Sequence, residues 1–275
     1  MTKTYTPWFL LVIALALAAI YLFPLYWMYV TSLKTGSEIF ANPPTLWPNN
    51  PNAGIYPEVW ARRNMPVFLS NSVLIASGVT AITVILGTGC AYVLARYRNV
   101  WIDVGLFCVL MLQVLPASVM VTPLFVGFNQ IGLLNYPRTA VVLAAAAKAM
   151  PFFVVLVRAT FMSVPRELEE AALVDGNSRI GAFFSIVLPL ARNGILVCAI
   201  LTFMSAFGEY IYSKSIIQSP TQQPASVGLS GFLGPNSTDW SSIMAYSAIY
   251  VTPILLAFVI LQRRIVSGLT SGALK

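Results

Sequence analysis

Six long apolar runs, about 8–30, 68–94, 101–127, 139–161, 194–217 and 242–262, alternate with short polar interruptions along the chain. Each is near or above the roughly 20 residues that a helix needs to cross hydrocarbon. The pattern predicts an all-α membrane protein with six transmembrane helices, organised as a single transmembrane domain over residues 1–275. The first run, Trp8 to Val30, is longer than the apolar part of a secretory leader, and no small-residue cleavage site follows it. It reads as a span, with the mature chain starting at Met1. Pro24, Pro116, Pro123, Pro151 and Pro253 fall inside spans, where each removes a helical hydrogen bond and tends to kink its helix.

Composition agrees with this pattern: 58% of residues are hydrophobic and 9% charged, whereas soluble domains carry about 25% charged residues. The 16 basic and 9 acidic residues leave a net charge of +7, which raises the question of nucleic acid. The basic residues sit singly or in pairs at the ends of apolar runs, so they set topology and no nucleic-acid partner is expected. With an even number of spans, Lys3, Arg96, Arg98, Arg158, Arg166, Arg179, Arg192, Arg263 and Arg264 share one compartment, against Lys34, Arg62, Arg63 and Arg138 in the other. That bias places both termini in the cytoplasm. Cys90, Cys108 and Cys198 lie in apolar runs with no neighbouring ligand, and histidine is absent. The commonest general base and most transition-metal sites are thereby missing, so neither a metal site nor an intramembrane hydrolase is expected.

The first outside loop, from Lys34 to Pro66, is rich in Pro, Asn and Gly and carries Trp47, Tyr56 and Trp60. It reads as a packed cap with one or two short helices at the membrane surface. Gly78, Ala81, Gly87, Gly89 and Ala91 in the second span are small enough to let another helix approach closely. The "AAAAK" stretch of the fourth span follows the same logic.

The most informative interruption is the loop 162–193, which reads "SVPRELEEAALVDGNSRIGAFFSIVLPLAR" from Ser163. Ser163 and Pro165 mark a helix start, with Pro165 suited to a first helical position, and Glu167, Glu169 and Glu170 complement the dipole there. Leu168, Ala171, Ala172 and Asp175 recur at helical spacing and give a small-residue face. Gly176 is placed to end the helix in the left-handed conformation. A second apolar segment, Ile180 to Leu188, returns to the bundle, and Pro189 is expected to break it before the fifth span. Such a helix, held at the surface between two spans, suits a groove on a soluble partner. The competing reading is an amphipathic helix lying on lipid, which its acidic first half disfavours.

The spacing Glu170-Ala171-Ala172, three residues, Gly176, nine residues, Ile186, one residue and Leu188-Pro189 resembles the EAA-loop signature of permease subunits in binding-protein-dependent ABC importers. The wider chain is similar to the second permeases of the carbohydrate-uptake family that includes the maltose system's MalG. "VPRELEEAALVDG", "FGEY" in the fifth span and the tail "QRRIVSGLTSGALK" carry that likeness. Departures are Asn177, where the family commonly has Ala, and "AFGEYIY", where it often has a Trp-Asn-Glu-Phe run.

The resemblance implies the type I ABC importer transmembrane fold, with the loop as a cytoplasmic coupling helix docked on an ATPase. Glu170, Ala171, Ala172, Asp175, Gly176, Ile186, Leu188 and Pro189 are its coupling residues, and the tail 263–275, with Arg263, Arg264 and Gly268, reaches toward the ATPase dimer. The chain has no G-x-x-x-x-G-K-[ST] phosphate loop, so it needs no cofactor of its own, and ATP and Mg belong to the partner. The implied partners are a second homologous permease, two ATPase copies, an extracytoplasmic solute-binding protein and the bilayer of a bacterial or archaeal cytoplasmic membrane. The implied solute is a sugar, an amino sugar, a polyol or a glycerophosphate-type compound. The rival classes are an intramembrane enzyme, disfavoured by scattered carboxylates and no histidine, and an ATP-independent transporter or channel, for which no internal repeat is found. Lys148 and Glu209, with Tyr210 and Tyr212, are the candidate pathway or gate residues. The two charges lie at similar depth and are expected to face each other or the second permease.

Overall fold

Hydrocarbon offers no water to satisfy peptide groups, so each apolar run closes its hydrogen bonds within itself as helix. The structure, a computed structural model, describes residues 8–62, 64–97, 99–232 and 239–270, with Arg62 and residues 263–270 described by backbone alone. Among the described residues there is no strand. In chain order the α-helices are α1 (Trp8–Ser32), α2 (Gly36–Ile39), α3 (Ile55–Arg62), α4 (Met65–Arg96), α5 (Val100–Met111), α6 (Ala117–Gln130) and α7 (Pro137–Met162). They continue with α8 (Arg166–Val174), α9 (Arg179–Ala182), α10 (Leu188–Phe207), α11 (Ile211–Ile216), α12 (Ala225–Ser230) and α13 (Trp240–Thr270). Lys3, Arg63 and Arg98 lie outside the described residues, as do the side chains of Arg62, Arg263 and Arg264, while Gly268 is part of the α13 backbone.

Among the described residues five helices are long and apolar enough to cross a membrane, and α5 with α6 makes a sixth if the bent pair is one span. That pair is bent far more sharply than the kink expected at Pro116. Val100–Val114 and Ala117–Gln130 are bent by 97° from a straight line. Pro116 has no N–H and disfavours the helical conformation in the residue before it, and Leu115 adopts φ −64°, ψ 124°. Pro24, Pro123, Pro151 and Pro253 stay inside their helices.

Pro189 gives the opposite correction. It does not break the chain before the fifth span, because α9 and α10 join through π-helical Phe183–Val187 into one helix, Arg179–Phe207. The wider turn falls just before the proline, where the hydrogen-bond ladder must absorb a missing donor. The span ends early, at Phe207, and Tyr212 belongs to the separate helix α11.

The chain divides into two compact units, Met1–Pro66 with Leu229–Pro253 and Val67–Gly228 with Ile254–Lys275. In the first unit, the apolar stretch of α1 is wholly exposed, and only its last turn, Val30 to Ser32, is buried. That turn is anchored by Ser32 Oγ to Tyr56 OH and by Tyr29 OH to Thr252 Oγ1, both at 2.7 Å. The following loop packs as a cap containing α2 and α3. Lys34 is buried there, 4.4 Å from the Trp27 ring and donating to the Thr45 carbonyl. Glu38 Oε1 accepts from Asn49 N at 2.7 Å and Thr45 Oγ1 at 3.0 Å.

In the second unit, α7 runs between α4 and α10. Apolar association has little driving force in lipid, so close van der Waals contact must hold these helices. A side chain at Gly87 would meet Phe153 at 2.6 Å, and one at Gly194 would meet Thr160 at 2.5 Å. The core around them includes Ala91, Phe153, Val157, Phe161, Val187 and Ala191.

Candidate functional site

Two features of the second unit carry candidate function: the surface loop and a cavity within the bundle. In the loop, Pro165 is the residue before the first helical position, and Glu167 and Glu169 occupy the first turn of α8. The helix ends in a Schellman arrangement, with Gly176 N on Leu173 O at 3.2 Å and Asn177 N on Ala172 O at 2.9 Å. Gly176 has φ +86°, as the sequence predicts, and no atom lies within 4 Å of the place a Cβ would take, so any constraint there is conformational rather than steric. The chain turns at Asn177, and Ser178 Oγ accepts from Gly181 N at 3.0 Å to start the next helix.

The loop is tied down by residues far away in sequence. Glu169 Oε2 accepts from Arg96 Nε at 2.7 Å, and its Oε1 accepts from Tyr92 OH. Arg166 donates to the Arg96 carbonyl at 2.7 Å, and Arg158 to the Leu94 carbonyl at 3.1 Å, so two cations satisfy orphan carbonyls at the end of α4. Tyr92, Phe161 and Phe183 stack beneath, with Tyr92 and Phe183 centroids 4.6 Å apart. Sequence reasoning gave Glu169 only a dipole role, since nothing local to it announces Tyr92 or Arg96.

Of the signature residues, Glu170, Ala171, Asp175 and Gly176 are exposed together at the outer end of α8, while Ala172 turns into the core. Ile186 and Leu188 are half-buried and Pro189 is exposed, all in the returning helix. The outer surface also presents Leu168, Val174, Ile180 and Phe184. Their apolar character was readable in a loop otherwise rich in charge.

The cavity, about 620 Å³, is lined by α7, α10 and the segment Gly208–Tyr212, and it brings Lys148, Glu209, Tyr210 and Tyr212 together. It adds Gln113, Thr202 and Ser205, which sequence reasoning passed over. The two charges do not pair with each other. Glu209 instead caps α11: Oε1 accepts from Tyr212 N at 2.7 Å, and Oε2 from Ser213 N at 2.9 Å and Ser213 Oγ at 2.6 Å. These nearby donors satisfy the carboxylate locally, where helix start and negative charge suit each other. A second cavity, about 340 Å³, shares Gln113, Lys148 and Tyr212 with the first. Among the described residues no cluster of three His, Cys, Asp or Glu could hold a metal.

A helical membrane bundle with a short exposed helix on its surface and a mainly apolar cavity carrying a few polar groups inside suits a transport permease. The chain belongs to the family of binding-protein-dependent transport system inner membrane components, which matches residues 67–271. These are non-catalytic membrane components of systems that also use a solute-binding protein and an ATPase. The sulfoquinovosyl glycerol transport system permease protein SmoH of Agrobacterium fabrum is 34% identical over 254 residues, covering 92% of this chain and 89% of that protein. The trehalose/maltose transport system permease protein MalG of Thermococcus litoralis is 30% identical over 267 residues, covering 97% and 96%. The fold matches that of a bacterial ABC transporter involved in the import of the acidic polysaccharide alginate, with a TM-score of 0.77, 19% identity and coverage of 96% and 98%.

Proposed function

We propose that this chain is the permease domain of an ATP-driven importer for a sugar or sugar-like solute, and that α8 is its coupling helix. The observation that carries the reading is the signature from Glu170 to Pro189: its first part stands exposed on a helix tethered to α4, with Gly176 at positive φ. A partner cleft receiving Glu170, Ala171, Asp175 and Gly176 would move α8, and the Glu169 and Arg166 contacts would pass that movement to α4. Closure of two ATPase copies, which bind ATP and Mg, thereby drives alternating access between this chain and a second homologous permease. Both termini lie in the cytoplasm of a bacterial or archaeal cell, the tail with Arg263, Arg264 and Gly268 reaches the ATPases, and an extracytoplasmic binding protein delivers the solute. Relatives named for sulfoquinovosyl glycerol, diacetylchitobiose and trehalose/maltose transport support the solute class.

The test is uptake of labelled sugars by proteoliposomes holding the assembled importer, with intact or hydrolysis-dead ATPase. Uptake should require the intact ATPase and should fail when the exposed end of α8 is altered. Uptake that persists with the dead ATPase would defeat the proposal in favour of a self-sufficient transporter.

A further inference from the structure

The charges around the larger cavity do not balance. Glu209 is spent on three donors of its own segment. Lys148, which lines both cavities, forms no ion pair among the described residues. At 1.5 Å per residue it stands roughly 17 Å from one end of α7 and roughly 21 Å from the other, near mid-membrane. A charge at that depth is retained only facing water or a counter-charge. Two of the neutral groups nearby are occupied as well: the Gln113 amide donates to the Lys148 carbonyl, and the Thr202 hydroxyl to the Cys198 carbonyl at 2.9 Å, while Ser205, Tyr210 and Tyr212 complete the polar part of the lining. What faces the space is an ammonium without a partner, among apolar walls that strengthen its field. A volume of about 620 Å³ lies within the range of small-molecule sites.

We propose that this cavity admits a solute bearing a carboxylate, sulfonate or phosphate, and that Lys148 is the group that receives the negative charge. The inference rests on the permease reading and names its substrate class. A neutral sugar would leave the ammonium without a counter-charge, whereas an anionic sugar satisfies it. Because Lys148 borders both cavities, the same ammonium is within reach from either.

The test uses proteoliposomes with the assembled importer and its binding protein, and two matched probe pairs: galactose against galacturonate, and glucosylglycerol against sulfoquinovosyl glycerol. ATP-driven uptake should favour an anionic member at least tenfold. Lys148→Gln should lower that uptake tenfold or more while the ATPase still copurifies, and Lys148→Arg should restore it to within threefold. Uptake favouring the neutral members, or unchanged by Lys148→Gln, overturns the proposal. Loss of assembly in Lys148→Gln but not in Lys148→Arg overturns it too, by making the lysine a structural ion-pair partner. Absence of ATP-driven uptake of every probe overturns the substrate class, whereas uptake that persists with a hydrolysis-dead ATPase sinks the permease reading itself.

Discussion

Replacing Glu169 with alanine tests whether α8 is mechanically joined to α4. Glu169 and Arg96 are each 13% exposed, and the substitution removes two hydrogen bonds to a carboxylate while leaving the guanidinium without its counter-charge. Breaking a fully buried pair costs about 3–5 kcal/mol. Partial exposure reduces this, and we take about 2 kcal/mol, which is roughly thirtyfold in a local opening equilibrium. Hydrogen exchange at Asp175, Gly176 and Asn177, whose N–H groups bond the carbonyls of Ala171, Leu173 and Ala172, should accelerate by about that factor. Tyr92→Phe removes only one bond to the carboxylate, about 1.5 kcal/mol or roughly tenfold. Exchange at Val157 and Phe161 in the core should stay unchanged in both variants. The tether is refuted if the α8 amides of Glu169→Ala change less than twofold, or if the whole bundle accelerates equally.

Two further predictions concern glycines. At Gly176 the space is open and φ is +86°, so the penalty is about 1–2 kcal/mol of backbone strain whatever the side-chain size. Asn, which tolerates that conformation, should be the mildest replacement, whereas Val or Leu would also fill space a docked partner needs and should abolish uptake with the protein still in the membrane; normal uptake by Gly176→Leu would contradict the docking role. At Gly87 the reverse holds, since a side chain meets Phe153 at 2.6 Å. Gly87→Leu should therefore cost about 1–3 kcal/mol by overpacking, seen as a lowered melting temperature in detergent, while Gly89→Leu, with nothing within 4 Å, should leave it in place.

The parts of the molecule legible in the sequence are those set by local pattern. Apolar run length located the long helices, and the spacing from Glu170 to Gly176 located both the loop helix and its left-handed end. What escaped depends on distance or on competition between neighbours. Glu169 meets Tyr92 and Arg96 across more than seventy residues, and no local feature distinguishes it from Glu167 or Glu170. Lys148 and Glu209 share a cavity as their depth suggested, yet three donors within four residues of Glu209 outcompete a lysine on another helix. The prolines are the plainest case. The same residue stays within a helix at Pro24, Pro123, Pro151 and Pro253 and ends one at Pro116, so the outcome lies in what surrounds it.

That makes Pro116 a test of what enforces the bend. Val100 to Gln130 as one straight helix would be about 46 Å long, no longer than the unbroken α4, so membrane thickness does not impose the bend. The helix propensity regained by Pro116→Ala is about 3 kcal/mol. Straightening would forfeit the Gln113 bond to the Lys148 carbonyl and the burial of Ala117. These contacts hold the two arms apart, so Pro116→Ala should keep the bend in a bilayer. Spin labels at exposed Val104 and Val126 distinguish the two shapes. Arms of about 17 and 15 Å, bent by the observed 97° from a straight line, give a backbone separation of roughly 21 Å, against roughly 33 Å for a straight helix. A distance distribution in nanodiscs that stays at the shorter value supports enforcement by packing. A dominant population at the longer value in Pro116→Ala would show that the proline alone makes the bend.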